Sequence, residues 1–369
     1  HAMTWEDVIC LIAITKMPNV GPVTAKNLIS YCGSVEGVFK EKKKNLLKIP
    51  GIGPLLAENI DPHSYLDDAE KEVTFTEKNG ISPISYLDRN YPARLLNYDS
   101  SPVLLYFKGQ ADLNHYRTVA VVGTRNPTEY GKIMCERLVE GLTPYKVLLV
   151  SGLAFGIDSI AHRVCLESGI PTLGVLGHGL DRYYPHEHKA MAKKMTEQGG
   201  GILTEFTTGT RPDRENFPMR NRIIAALSDA VVVVESKRKG GSIITAEFGN
   251  EYNKDVFAIP GQVTHELSEG CNKLIKQNKA HLLESAADVA YIMRWDEIDS
   301  GKIIQKQLFV DLDETESRLV SVLREHGELG IDSLTYKLGI SPSETASVLL
   351  GLEFKGLLRA LPGKKYMLA

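Results

Sequence analysis

The chain has 369 residues, 43% of them hydrophobic, with a net charge of -3, which is ordinary globular material for two or three domains. No run approaches the roughly 18 apolar residues of a membrane span, and the first residues lack the basic-then-apolar layout of an export signal. Five scattered cysteines without a Cys-x-x-Cys pair argue against a disulfide framework or zinc knuckle, so the sequence predicts a reducing, cytoplasmic protein whose anion sites are local concentrations of Lys and Arg.

At the N-terminus Pro18-Asn19-Val20-Gly21-Pro22 recurs as Pro50-Gly51-Ile52-Gly53-Pro54. In each copy an apolar residue, a Gly that can take positive φ and a Pro suited to the first helical turn predict a tight turn entering a helix. This is the layout of a paired helix-hairpin-helix, SAM-like module over residues 1–65. Such turns either bind phosphate through free N–H groups or only pack as a small bundle, and Glu58 in the second copy does not help the first alternative.

Residues from about 62 to 117 carry weaker signals, with 103–107 as a strand, and extend a central domain expected over 66–294. There a pattern of apolar run, Gly-bearing loop and amphipathic helix repeats, with runs at 118–122, 147–150, 172–176, 202–205, 230–234 and 256–259. Continuous Val and Leu runs separated by helix-length segments predict strands buried on both faces, hence an α/β, doubly wound, mostly parallel sheet. In such sheets ligands sit beyond the carboxyl ends of the strands. The loops expected there are Gly123-Thr124-Arg125, Ser151-Gly152 through Gly156-Ile157-Asp158, Gly177-His178-Gly179 with Tyr184-Pro185 and Lys189, Arg214 to Arg222, and Lys237-Arg238-Lys239-Gly240-Gly241-Ser242. Glycines let the backbone approach an anion, helix N-termini present free N–H groups, and the basic residues add charge.

The densest of these loops reads Arg214-Glu-Asn-Phe217-Pro-Met-Arg220-Asn221-Arg222. Guanidiniums pair bidentately with phosphate oxygens and Phe217 offers a face on which a base can stack, the pairing used to hold single strands without reading sequence. The alternative is a core Phe217 with the arginines on a solvated helix face.

A polar connector is expected at 295–312. From 313 to 369 helical spacing in Leu319, Val322, Leu323, then Leu334, Leu338, then Val348, Leu349, Leu352, followed by a hairpin around Pro362-Gly363, predicts a winged helix. Its recognition helix carries Glu344 and Glu353 against Lys355 alone, which favours a protein-interaction or regulatory role over DNA binding. No P-loop and no Gly-x-Gly-x-x-Gly occurs, and His186 and His188 lack a second cluster at metal spacing. Asp158 and His162, four apart on one helix, are either an acid/base pair or, as favoured here, a helix anchor.

The ordered series Val122-Gly123-Thr124-Arg125, Ser151-Gly152-Leu153-Ala154-Phe155-Gly156-Ile157-Asp158, Tyr184-Pro185, Phe217-Pro218-Met219-Arg220-Asn221-Arg222, Gly241-Ser242-Ile243-Ile244-Thr245-Ala246 and Gly270-Cys271-Asn272-Lys273-Leu274-Ile275 resembles the DNA-processing protein A family (DprA, also called Smf). The resemblance implies an extended Rossmann-like domain that binds single-stranded DNA and forms a homodimer, and delivery of a RecA-type recombinase onto the strand during natural transformation. It implies no catalytic residues, no cofactor and no metal. The implied DNA-binding positions are Gly123, Thr124, Arg125, Ser151, Gly152, Gly156, Lys189, Arg214, Phe217, Arg220, Asn221, Arg222, Gly241, Ser242 and Thr245. Departures include Gly240 where the family often has Ser, and His188 where Asn is common. An enzymatic alternative exists, because related Rossmann-like nucleoside-monophosphate N-glycosidases use a Gly-Gly-x-Gly-Thr-x-x-Glu segment that Gly240, Gly241, Thr245 and Glu247 partly match; here Thr245 is one residue late and Ile243 replaces the third Gly.

Overall fold

The computed structural model describes residues 3–295 and 312–369. All but the two end residues of the expected connector lie outside the described residues. His1–Ile298 and Asp299–Ala369 form two compact units.

The first unit is built on a nine-stranded sheet: β1 (Ser82–Ser85), β2 (Leu104–Gly109), β3 (Thr118–Val122), β4 (Leu148–Ser151), β5 (Thr172–Leu176), β6 (Gly201–Thr204), β7 (Ala230–Val233), β8 (Asp255–Ala258) and β9 (His281–Leu282), in spatial order β1-β2-β6-β5-β4-β3-β7-β8-β9. Neighbours from β6 across to β9 are parallel, and β2 joins β6 antiparallel. The fold is thus mostly parallel and doubly wound. Its strands are apolar throughout because both faces are covered. In β3, Val119 and Val121 enter the core on one face while Ala120 and Val122 enter the core on the other. Chain order reverses at β3, with β4 on one side of it and β7 on the other. This is the switch point at which a doubly wound sheet opens a crevice.

At the other end of the sheet the N-terminal helices pack on its edge. Helices Trp5–Lys16, Pro22–Cys32, Val35–Lys40, Lys43–Leu46, Pro54–Asn59 and Leu66–Lys78 share a core with Leu104 and Tyr106 of β2. The Leu66–Lys78 helix, read from sequence as part of the central domain, gives Ala69 and Val73 to this N-terminal core. Both hairpins form with Gly21 and Gly53 as N-caps and Pro at the first turn. The left-handed residue, however, is not the Gly before Pro. Gly21 and Gly53 have φ of -85° and -84°, and the positive φ falls two residues earlier, on Asn19 (62°) and Gly51 (84°). Asn and Gly are the residues that tolerate this region, so the repeat does encode the turn, with its left-handed residue two positions before the expected Gly.

The second unit has helices Glu314–His326, Ile331–Leu338 and Pro342–Phe354 with a three-stranded sheet of β10 (Glu328–Gly330), β11 (Leu358–Leu361) and β12 (Lys365–Leu368), ordered β10-β12-β11. Leu319, Leu323, Leu334, Leu338, Leu349 and Leu352 form its core, as their spacing predicts. The short β10 was not foreseen. None of the described helices is long and apolar enough to cross a membrane.

Candidate nucleic-acid interface

The loops that follow β3, β4, β6 and β7 meet beyond the carboxyl ends of the strands and line a groove of about 540 Å³. Gly123, Thr124 and Arg125 come from the first, Ala154 and Asp158 from the second, Arg214, Phe217 and Asn221 from the third, and Lys237, Lys239, Gly241, Ser242 and Thr245 from the fourth. Two helices, Asn216–Leu227 and Gly241–Glu251, start at the groove, and their free N–H groups add positive potential. Arg125, Arg214 and Lys239 have no ion-pair partner among the described residues, and Lys237 reaches Glu266 only at 3.5 Å, with both side chains exposed. Asp158 is the one carboxylate in the lining, and it is spoken for.

Asp158 is buried and its Oδ2 accepts from Gly152 N–H at 3.1 Å. Across Gly152 lies the buried guanidinium of Arg220, which donates to the carbonyls of Gly152 and Val175 at 2.8 and 3.0 Å and to Asn221 Oδ1 at 2.9 Å. Burial pulls the Arg220 ionisation down to about 10 while the Asp158 charge opposes it, and burial pushes the Asp158 carboxyl up against the pull of Arg220. Any Cβ at position 152 would meet both groups at 2.8 Å, so Gly152 is required by this pair. Gly156 has a similar reason: at φ 81° it lets the β4 loop approach the β3 loop, where a Cβ would lie 2.4 Å from the Thr124 carbonyl oxygen. Gly241 alone among the glycines implied in the site faces open space.

Phe217 is half-buried at the junction of the groove and a narrower cleft floored by His178. The Arg125 and Arg220 guanidiniums stand 5.1 and 5.3 Å from its ring centre, and Tyr184 lies roughly parallel at 6.3 Å. The ring is therefore both framed by cations and open to a further flat partner.

Five implied positions do not line the groove: Gly152 and Gly156, which shape its loops, and three others. Ser151 is fully buried, donating to the Val121 carbonyl at 2.6 Å. Arg222 pairs with Glu205 at 2.8 Å, with 13% of its side chain exposed, and is not part of the groove lining. Lys189 opens the Lys189–Glu197 helix with its ammonium 6.0 Å from the Tyr183 ring, outside both the groove and the cleft. Lys237 and Lys239 of the basic loop, which are not among the positions the resemblance implies, do line the groove. Glu247, on which the N-glycosidase alternative depends, is exposed and absent from the lining.

His162 is an anchor, not a proton carrier. Its Nε2 accepts from Leu153 N–H at 3.2 Å, so Nδ1 carries the hydrogen and donates to Thr172 Oγ1 at 2.7 Å. The first bond holds Leu153 at φ 57°, in the left-handed region between two groove loops. Burial drops the His162 ionisation to about 3. The unfolded chain therefore takes up a proton near pH 6.5 that the folded state refuses, and stability is lost as pH falls from about 6.5 towards 3. Urea unfolding at pH 7 and pH 4.5 should show this residue costing roughly 2–3 kcal/mol on acidification, a pH dependence that His162→Gln abolishes.

The crevice at the switch point of this Rossmann-like sheet is thus lined by cations, helix N-termini and one half-buried ring, a set that suits anionic oxygens and a flat partner. A family model described as DNA recombination-mediator protein A matches residues 82–294, a SAM-like helix-hairpin-helix tandem matches 11–60, and a DprA winged helix domain matches 308–364. The chain belongs to the DNA recombination-mediator protein A (DprA/Smf) family. It is 30% identical to the Smf protein of Synechocystis sp. over 96% of this chain and 97% of that one. It is 40% identical to the DNA processing protein DprA of Streptococcus pneumoniae over 62% and 79% of the two chains. The X-ray structure of the Streptococcus pneumoniae DprA aligns with a TM-score of 0.65 at 32% identity, covering 81% of this chain and all of that one. That of Helicobacter pylori DNA processing protein A, described for its unique single-stranded DNA binding mode, aligns with a TM-score of 0.53 at 28% identity, covering 58% and 97%.

Proposed function

We propose that this chain binds single-stranded DNA in the switch-point groove and acts as a recombination mediator, protecting incoming strands and loading a RecA-type recombinase during natural transformation. The observation that carries the reading is the convergence of Arg125, Arg214, Lys237 and Lys239, otherwise unpaired or loosely paired, on one groove beside Phe217. Phosphates take the cations and the helix N-termini, and a base takes the ring. Of the implied positions, Gly123, Thr124, Arg125, Arg214, Phe217, Asn221, Gly241, Ser242 and Thr245 are kept as contacts. Gly152, Gly156 and Arg220 act by shaping the loops. The protein works as a binder and not as a hydrolase, in the cytoplasm, as a homodimer through the domain that carries the sheet. The family membership and the binding described for the Helicobacter pylori relative support this.

The test is fluorescence anisotropy with oligo-dT and a duplex of equal length, then recombinase filament formation on strands already coated by a single-strand binding protein. Preference for the single strand and faster filament growth in the presence of this protein are expected. Equal affinity for both DNAs would refute the binding mode, and unchanged filament growth would refute the mediator role. Phe217→Ala should weaken oligo-dT binding by about 1–3 kcal/mol, measured at fixed salt, with little change in the salt dependence because no charge is lost.

A further inference from the structure

The groove cation Arg214 sits near the end of an eleven-residue connection, 205–215, between β6 and the Asn216–Leu227 helix. Eleven residues carrying an exposed guanidinium lose their preferred placement unless something holds them, since ordering each freely rotating residue costs conformational entropy. Part of the hold is local to the sheet end: Gly209 N–H donates to Asp181 Oδ2 at 3.0 Å, and Gly179 N–H donates to the Thr210 carbonyl at 3.1 Å. Turns inside the connection add bonds from Thr210 N–H to the Thr207 carbonyl and from Asn216 to the Arg211 and Asp213 carbonyls, and one further hold comes from the N-terminal helices. Thr208 donates its N–H to Glu72 Oε1 at 2.8 Å and its hydroxyl to Glu72 Oε2.

Glu72 is an unusual residue for its position. It is 3% exposed and lies on the buried stripe Ala69, Glu72, Val73, Thr76 of the Leu66–Lys78 helix, where the helical period calls for an apolar side chain. No Lys or Arg forms an ion pair with it among the described residues, so its charge is compensated there chiefly by the two Thr208 donors. A buried carboxylate is costly, and a helix that needed only to pack would be better served by Leu.

We infer that Glu72 is a positioning residue of the strand groove. It touches no DNA; by gripping Thr208 at both donor atoms it fixes the connection that presents Arg214, which makes the N-terminal helical module a working part of the site. The inference rests on the proposed binding of single strands at Arg214.

A double-mutant cycle on the full chain tests it, with parent, Glu72→Ala, Arg214→Ala and the double variant titrated with oligo-dT across a salt series, and thermal unfolding recorded for each. Glu72→Ala should weaken binding three- to tenfold and lower the salt slope towards that of Arg214→Ala, yet change binding less than twofold when Arg214 is already absent. Glu72→Gln should restore binding, because its amide oxygen accepts the Thr208 N–H and its NH2 donates to the hydroxyl oxygen. Should Glu72→Ala fail to fold, Thr208→Val, which removes one donor from the grip, is expected to lower the slope in the same Arg214-dependent way. Equal losses in both Arg214 backgrounds, or an unchanged salt slope with only a lower melting temperature, would show a merely structural residue and overturn the inference while leaving the groove intact. Arg214→Ala binding like the parent would overturn the groove reading and this inference together.

Discussion

Arg125→Ala combined with Arg214→Ala should bind oligo-dT at least a hundredfold more weakly than the parent at physiological salt while melting at the same temperature. Both residues line the groove, and neither has an ion-pair partner among the described residues, so their loss leaves no buried charge behind. Each charge-assisted hydrogen bond to a phosphate is worth roughly 1.5–3 kcal/mol, and each phosphate contact on a single strand contributes about 0.7 to the log-log salt slope. The double variant should therefore also flatten that slope by about 1.4. The pairing of a lost affinity with a lost slope matters. A variant that is merely misfolded loses binding sites, whereas the folded fraction keeps the parental slope.

Arg220→Met should have the largest effect on stability, about 3–5 kcal/mol, although it stands in the same helix as the contact residues. Its guanidinium is buried between Asp158 and the carbonyls of Gly152 and Val175. Removing it strands a buried carboxylate and takes a donor from three acceptors. The sign of the pH effect follows. Burial already raises the Asp158 carboxyl in the parent, and without the opposing pull of Arg220 it rises further, so the variant's folded state is favoured still more at low pH and that advantage is lost as pH rises. The stability deficit of Arg220→Met relative to the parent should accordingly be larger at pH 8 than at pH 5 by urea unfolding, and Asp158→Asn added to it should recover part of the loss. A deficit independent of pH would mean that Asp158 does not depend on Arg220 for its charge.

These two arginines, six residues apart in one motif, show what a sequence can and cannot tell. The presence of a cationic, ring-bearing segment at the start of a helix is local information and was readable from Arg214 to Arg222. Within the helix that begins at Asn216, the side that faces the groove is set by the 3.6-residue turn. Phe217, Asn221 and Ile224 share the groove-facing side of the helix, and Arg222, five residues after Phe217, is turned about 140° away from it, where Glu205 meets it. Arg220 lies inward because its partner, Asp158, comes from the first turn of the Ile157–Ser168 helix, sixty-two positions earlier in the chain, and no spacing rule connects the two.

The strands were legible for a related reason. Parallel strands buried on both faces keep their apolar character at every position, so the runs at 118–122 and 230–234 stand out without any pairing information. Glycines were harder. Gly123, Gly152 and Gly156 were read as phosphate-approaching positions, but the space beside each is taken by protein: by Ile157, by Asp158 and Arg220, and by the Thr124 and Arg125 carbonyls. A glycine after a strand announces close approach of something, and only coordinates tell whether that is a ligand or the next loop. Glu72 left one faint signal, a carboxylate at an apolar position of an otherwise amphipathic helix.

All the proposed DNA contacts lie on one patch of the molecule, and cross-linking reads that placement without relying on any variant. An oligo-dT bearing 5-iodouracil, irradiated in complex with the full chain and digested, should yield adducts on the peptide containing Phe217, with weaker ones from the 123–125 and 236–242 loops. Adducts confined to the Pro342–Phe354 helix and the β11–β12 hairpin, or to the turns before Gly21 and Gly53, would place the strand elsewhere and contradict it.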